Sequence, residues 1–412
     1  MNQALFIVAS AIGIVTGIVA LLVIASKAHS DRRTLHWGRR QRVLVRRLEA
    51  YLRGERIGVS AALGDGVRQR DRSLVEDLLL RRILLSTGAE AGRLKAAFEE
   101  LGLVSAYLAQ LERRGWWHRA RAAENLGLAG AARAQDALLT RLKDDNAEVR
   151  FRAARALGRI GDASVMPTLV MTLNRPDRFS SIRIANVLVS RGPAVIPAVV
   201  ESFDQLDPRA RVAVLDVIAA VGTREIGDWL RERLGDPDRD VRSRAAKALG
   251  AIGDLFAGPR LVEALGDPQW PVRAVAAKSL AKLRYTPAIP ELCNALRDSE
   301  WWVRANAAES LRSMGLEGLS ALESMLDDSD AYARHQAVFM LEEAGVVDER
   351  VGDLLDASNR RRARSRTFVD QVIESGQCGR LTDLAEEHAD LQIRAFLSHM
   401  LSRDQATLEA RQ

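Results

Sequence analysis

Ten arginines stand at nearly equal steps along a chain of 412 residues: Arg119, Arg150, Arg183, Arg211, Arg242, Arg273, Arg304, Arg334, Arg364 and Arg394. A guanidinium is a planar, permanently charged fork that grips carboxylate or phosphate at two points. Two chemistries are therefore open to the column. Each arginine can pair with an aspartate of its own or the adjoining repeat and so set how repeats stack. Alternatively, the column can hold phosphate or an acidic peptide along a groove. Recurrence in every unit favours the first, because a ligand rarely needs ten copies of one contact.

Other side chains able to do chemistry are sparse. Six histidines (His29, His36, His118, His335, His388 and His399) are scattered with no metal-ligand spacing. Each reads as a surface or hydrogen-bonded residue. Cys293 and Cys378 lie outside any paired motif, and Cys293 sits on an apolar helical segment that reads as core. Two lone cysteines suit a reducing compartment and exclude a disulfide scaffold. No glycine-rich phosphate loop follows a strand pattern. No catalytic residue, cofactor or metal is assigned, and the chain reads as a non-enzyme.

The elements that place the arginines are legible in "GDPDRDVRSRAAKALGAIGD", ending at Asp254, and in aligned units ending at Asp162, Leu283 and Gly315. An apolar residue precedes the arginine, alanines follow three and four residues later, and a leucine follows at seven. These offsets share one stripe of a helix. Asp144, Asp177, Asp236, Asp267, Asp298 and Asp328 each stand six residues before a ladder arginine, and Pro237 and Pro268 follow two of them. Asp then Pro predicts a helix N-cap with proline in the first turn. Gly250 and Gly253 suit the left-handed position that ends a helix.

This pattern resembles the HEAT-repeat superfamily, and within it the short bacterial repeats of the phycobilisome-lyase type. The resemblance implies an all-α fold: a right-handed HEAT-type α-solenoid of about ten helical hairpins. The likeness is good over Arg113–Gly345 and weaker around Arg183 and Arg211. It is also weaker in "RRARSRTFVDQVIESG" and "LQIRAFLSHML", which keep the arginine without the alanine pair. Some relatives of this type attach bilins, and one binds iron through His-Glu dipeptides; this sequence has no His-Glu pair.

Before the repeats, residues Ala4–Ser26 carry no charge, and about 20 apolar residues suffice to cross a bilayer. The segment reads as a single transmembrane helix. "MNQ" lacks the positive charge of a secretory signal, which favours an uncleaved anchor. Lys27–Arg56 holds ten Lys or Arg against three acids, which predicts an N-terminus outside the inner (plasma) membrane and a cytoplasmic solenoid. Without that stretch, 50 basic residues face 51 acidic ones. No continuous basic surface for nucleic acid is implied. Within "RRQRVLVRRLEAYLRG", Leu44, Leu48, Tyr51 and Leu52 share a helical face. Arg39, Arg40, Arg46 and Arg47 could then meet anionic lipid headgroups, or the helix could pack on the first repeat. Ala9, Gly13 and Gly17 recur every four residues, a spacing that permits self-association of spans.

The expected organisation is a short extracytoplasmic start (1–3), a span (4–26), a basic juxtamembrane segment (27–70) and a helical cap (71–112). HEAT repeats (113–345) and degenerate C-terminal repeats (346–412) follow. Two surfaces are candidates for a partner. Trp116, Trp117, Trp270, Trp301 and Trp302 precede ladder arginines and form a rim, where tryptophan serves either binding or packing. Arg121, Arg152, Arg155, Arg244, Lys247 and Lys278, alongside Glu124, Asp216 and Glu309, project toward the concave face. The function expected is a membrane-tethered, non-catalytic scaffold that binds a protein, such as an integral membrane enzyme or transport complex. Alternatives are a lyase-like or chaperone activity on a tetrapyrrole carrier protein and, least favoured, a nucleic-acid-binding solenoid.

Overall fold

A computed structural model of the chain describes residues 27, 41–55, 58–63, 71–174, 178–356 and 358–409. Among these residues there are helices and turns and no strand. The chain divides into two compact units, Met1–Val165 and Met166–Gln412.

The first unit contains α1 (41–52), α2 (Val59–Leu63), α3 (Arg72–Ile83), α4 (Gly88–Glu100) and α5 (Leu103–Leu111), followed by α6 (Trp116–Ala129), α7 (Gln135–Arg141) and α8 (Ala147–Ile160). The second unit alternates short and longer helices. It begins with α9 (Met166–Met171), α10 (Arg178–Val189), α11 (Ile196–Ser202), α12 (Pro208–Val221), α13 (Gly227–Glu232) and α14 (Arg239–Ile252). It continues through α15 (Gly258–Ala264), α16 (Trp270–Leu283), α17 (Ile289–Ala295), α18 (Trp301–Ser313), α19 (Leu316–Ser324) and α20 (Ala331–Glu343). The last four are α21 (Val346–Gly352), α22 (Asn359–Glu374), α23 (Gly379–Glu387) and α24 (Leu391–Glu409). Every ladder arginine lies on the second helix of a pair.

Each second helix is held by the predicted stripe. On α14, Val241, Ala245, Ala246 and Leu249 are fully buried, and their small volumes let neighbouring second helices approach closely. A Cβ on Gly250 would lie 2.7 Å from Ser279 Cβ and 2.9 Å from Ser279 Cα on α16. This corrects the expectation for Gly250: it sits inside α14 at the helix–helix contact. Gly253 is the left-handed terminus, with φ 71° and its N–H donating to the Leu249 carbonyl.

The arginine ladder is structural where it is regular. Arg119 donates from Nε and Nη2 to Asp144 at 2.7 and 2.8 Å, 25 residues on. Arg242 grips Asp267 at 2.7 and 2.9 Å, and Arg273 grips Asp298 at 2.6 and 2.8 Å. The remaining amine of Arg273 donates to the carbonyls of Asp267 and Pro268 in its own repeat. One side chain thus ties its own turn to the next. Burial pushes the carboxyls of Asp144, Asp267 and Asp298 up, but the arginine and backbone hydrogen bonds outweigh it and hold all three below the usual range.

The aspartates themselves are not the helix caps the sequence suggested. Asp236 and Asp267 accept the N–H two residues on and close a turn before the helix. The N-caps stand two residues later, at Asn146 and Asp238, where the side chains accept from Glu148 and Asp240. Pro237 and Pro268 accordingly lie ahead of α14 and α16. Asp207 is a cap followed directly by proline, accepting from Ala210 N–H at 2.8 Å.

The membrane placement is corrected. Among the described residues no helix is long and apolar enough to cross a membrane. The segment 4–26, with Gly13 and Gly17, lies outside the described residues, as do Arg39 and Arg40. An inner-membrane location, a membrane partner and span-mediated self-association are therefore not carried forward. The lipid-facing reading of α1 also fails: Leu44, Leu48, Tyr51 and Leu52 are buried in protein. Tyr51 Oη donates to the Arg93 carbonyl at 2.9 Å, and Arg47 donates to the Leu63 carbonyl at 2.6 Å. With Leu44, Leu48, Tyr51 and Leu52 covered, α1 turns a mainly polar side to solvent, including Arg46, with Val43 the exposed apolar residue on it.

Candidate partner-binding groove

The tryptophans before the ladder arginines are exposed. Trp270 is 39% accessible and Trp302 56%, and Trp116, Trp117 and Trp301 lie between them in exposure. Side chains this large bury area cheaply when a partner arrives. Trp301 and Trp302 meet edge to face with centroids 4.7 Å apart, which fixes their orientation. In the first unit, Trp117 stacks on His118 at 3.3 Å. Trp229 differs from the rest: it packs edge to face on Phe203 at 4.9 Å, with Arg233 over its ring.

Most of the cations expected on a concave face are tied down by a second, parallel ladder. The acid five residues after one ladder arginine receives the cations two and five residues after the next. Glu124 takes Arg152 at 3.4 Å, Arg155, and Arg159 at 2.8 Å. Asp216 takes Arg244 at 3.3 Å and Lys247 at 2.6 Å. Arg121 lies 3.5 Å from Glu76. Burial pushes Glu124 up, yet the hydrogen bonds from Arg155 and Arg159 hold it below its ordinary value. Lys278 breaks the pattern, because the preceding repeat offers Lys247 where the acid should stand. No ion pair is found for Lys278 among the described residues, and its side chain is exposed.

The two candidate surfaces converge at this point. Trp270, Trp302, Arg244 and Lys278 line one open groove of about 420 Å³ in the second unit, across α14, α16 and α18. Asp240, Ser243, Pro271, Ala274, Val275 and Asn306 complete its walls. Sequence reasoning separated rim from face by treating the helix start and helix middle as different surfaces. A helix starting at Trp270 carries Ala274 and Lys278 on the same side at four-residue steps, so one stripe runs from tryptophan to lysine. Asp240, Pro271 and Trp302 all stand two residues before a ladder arginine, a shared register that would have found the wall.

The groove combines aromatic surface, a spare ammonium and amide and hydroxyl groups. It contains no paired nucleophile and base. Among the described residues no group of His, Cys, Asp and Glu could hold a metal ion. His335 contacts the Ser375 carbonyl at 3.0 Å, and His388 Nδ1 accepts from Asp390 N–H. His29 and His36 lie outside the described residues. Cys293 is half-buried rather than core, and burial pushes its thiol up, away from the reactive thiolate.

A profile of HEAT repeats matches residues 104–188, 196–265 and 258–342, more than half of the chain. No curated protein matches the sequence. Similar solved structures include the karyopherin Kap121p bound to Pho4p, at 12% identity and a TM-score of 0.47. That match covers 88% of this chain and 49% of the karyopherin, so the chain spans about half of it. Human deoxyhypusine hydroxylase in complex with glycerol is 21% identical over 76% of this chain and 99% of its own, with a TM-score of 0.26. The complex of CpcE and CpcF of phycocyanin lyase from Nostoc sp. is 23% identical over 65% and 94%, with a TM-score of 0.25. At these identities and scores, none of the three assigns a role to a residue here.

Proposed function

The chain belongs to the HEAT repeat family, and from that premise we propose that it is a non-catalytic scaffold that holds a segment of a protein partner in the Trp270–Trp302 groove. The observation that carries the reading is the meeting of two exposed tryptophans with the unpaired Lys278 on three packed helices. Such a surface is preorganised: α14, α16 and α18 are locked by the Arg242–Asp267 and Arg273–Asp298 pairs, so little ordering is left to oppose binding. Tryptophan supplies the buried anchor, and the ammonium selects for a carboxylate on the partner. The walls carry both signs, at Asp240 and at Lys278, which suits a protein segment more than a uniformly charged polymer.

Photo-crosslinking from position 275 or 306 in the intact protein tests this. A discrete crosslinked protein should appear, and it should be lost in the Trp270→Ala/Trp302→Ala double variant while the melting temperature stays within a few degrees. Crosslinks that persist unchanged in the folded double variant would remove the groove as the binding site.

A further inference from the structure

The helix α22 opens on five arginines in seven residues: Arg360, Arg361, Arg362, Arg364 and Arg366. All five are exposed. They fill its first two turns, and Arg360, Arg361 and Arg362 lie in the first, where unpaired backbone N–H groups already give a helix its positive end. Ser358 makes no side-chain cap there. Cations in this position work against the helix; a chain selected only for a stable α22 would carry acids instead.

The surroundings offset little of this charge. Among the described residues, the carboxylate within ion-pair reach is Asp356, 3.6 Å from Arg361. Arg362 donates twice to the Asp356 backbone carbonyl, at 3.2 and 2.9 Å. Arg366 lies over the Phe396 ring at 5.6 Å. No hydrogen bond or ion pair is found for Arg360 or Arg364 among the described residues. Packing leaves the other side chains of this half open as well, with Ser365 the buried one. Its C-terminal half is the part tied to the core, through buried Phe368, Val369, Val372 and Ile373.

We propose that the arginine face of α22 docks a short acidic segment of a protein, a run of aspartates and glutamates. Guanidinium forks grip carboxylates at two points, and five on two turns form a dense set of them. The length of the patch argues for a peptide. Seven helical residues span about 10 Å, and the positive field is bounded on both sides. Asp353 and Asp356 precede it, and Asp370 and Glu374 follow, exposed on the same helix. A nucleic-acid duplex or an anionic bilayer would extend past these limits and set its phosphates against those carboxylates. A short acidic stretch would not.

The test uses the full chain and a fluorescein-labelled hexaglutamate peptide, followed by fluorescence anisotropy at low ionic strength. The peptide should bind, release as salt is raised, and bind at least about tenfold more weakly to the Arg360→Gln/Arg361→Gln/Arg364→Gln variant. That variant keeps Arg362 on the Asp356 carbonyl and Arg366 over Phe396, so it should melt within a few degrees of the parent, and lost binding would not reflect unfolding. Trp302→Ala should leave peptide binding unchanged, which separates this surface from the groove. The proposal is overturned if the parent does not bind the peptide or if the triple variant binds it equally well. It is also overturned if duplex DNA or phosphatidylserine vesicles bind these arginines more tightly than the peptide does.

Discussion

Arg273 and Arg364 share the sequence period but not the place on their helices: Arg273 is the fourth residue of α16, Arg364 the sixth of α22, and Arg362 stands where Arg273 does. Arg273 is largely buried, chelates Asp298 on the following repeat and closes its own turn through two carbonyls. Arg362 is exposed and donates to the Asp356 carbonyl of its own turn, as Arg273 does to Asp267, but α22 lacks the alanine pair and position 387, where the aspartate would stand, is glutamate. The difference shows that the arginine alone is not the structural signal. It becomes a rung only when small residues bring the helices together and an aspartate arrives 25 residues later. Arg304 is intermediate. The interval to the next repeat is one residue shorter, and Asp328 is held by Arg297 at 3.1 Å. Arg304 then lies 4.5 Å from the Tyr332 ring, with its Nε buried and without a hydrogen-bond partner among the described residues.

The contrast can be broken at its strongest point first. Arg273→Ala should cost about 2–4 kcal/mol in urea unfolding, because it leaves Asp298 and two turn carbonyls without their donor in a mostly buried site. A loss below about 0.5 kcal/mol would place the rung among ordinary surface ion pairs. Gly250→Ala should cost about 1–3 kcal/mol, since the new methyl meets Ser279 backbone and side chain on α16. An unchanged midpoint there would show that α14 and α16 can separate freely.

Smaller effects sharpen the same comparison. Asp267 has a folded-state pKa below its unfolded value of about 3.9. It therefore adds stability that is present above that pH and is lost as pH falls through the folded value. Asp267→Asn should be destabilising at neutral pH, and the gap from the parent should close as both are acidified below about pH 4. A gap independent of pH would mean that shape rather than charge holds the rung. Arg364→Ala should shift stability by no more than about 0.5 kcal/mol.

Much of the fold was readable because one physical pattern repeats. Val241, Ala245, Ala246 and Leu249 report a buried stripe wherever they recur, and the arginine period counts the hairpins. Cap placement was less legible. Asp236 and Asp238 are both plausible caps by residue type, and the choice depends on a turn that forms before the helix. Gly250 was misread for a related reason: a glycine near a helix end signals either a left-handed residue or a close neighbour, and only the position of Ser279 decides. The groove was half visible. Its tryptophans and cations were identified, yet the release of Lys278 depends on Lys247 standing where the earlier repeats at Glu124 and Asp216 have an acid. The segment at α1 shows the limit of composition, since buried leucines flanked by arginines read alike for lipid and for protein until packing is known.

Each regular rung joins residues 25 apart, so these bonds form between sequence neighbours and ask for little loop closure. Assembly can begin at any well-linked joint and spread outward, in the manner of a zipper. By the same logic, opening should start where a rung is missing. Amide protons of α20 and α21, after Arg304 with its unmatched Nε, should exchange faster than those of α14 and α16, giving the second unit a built-in site of first fraying.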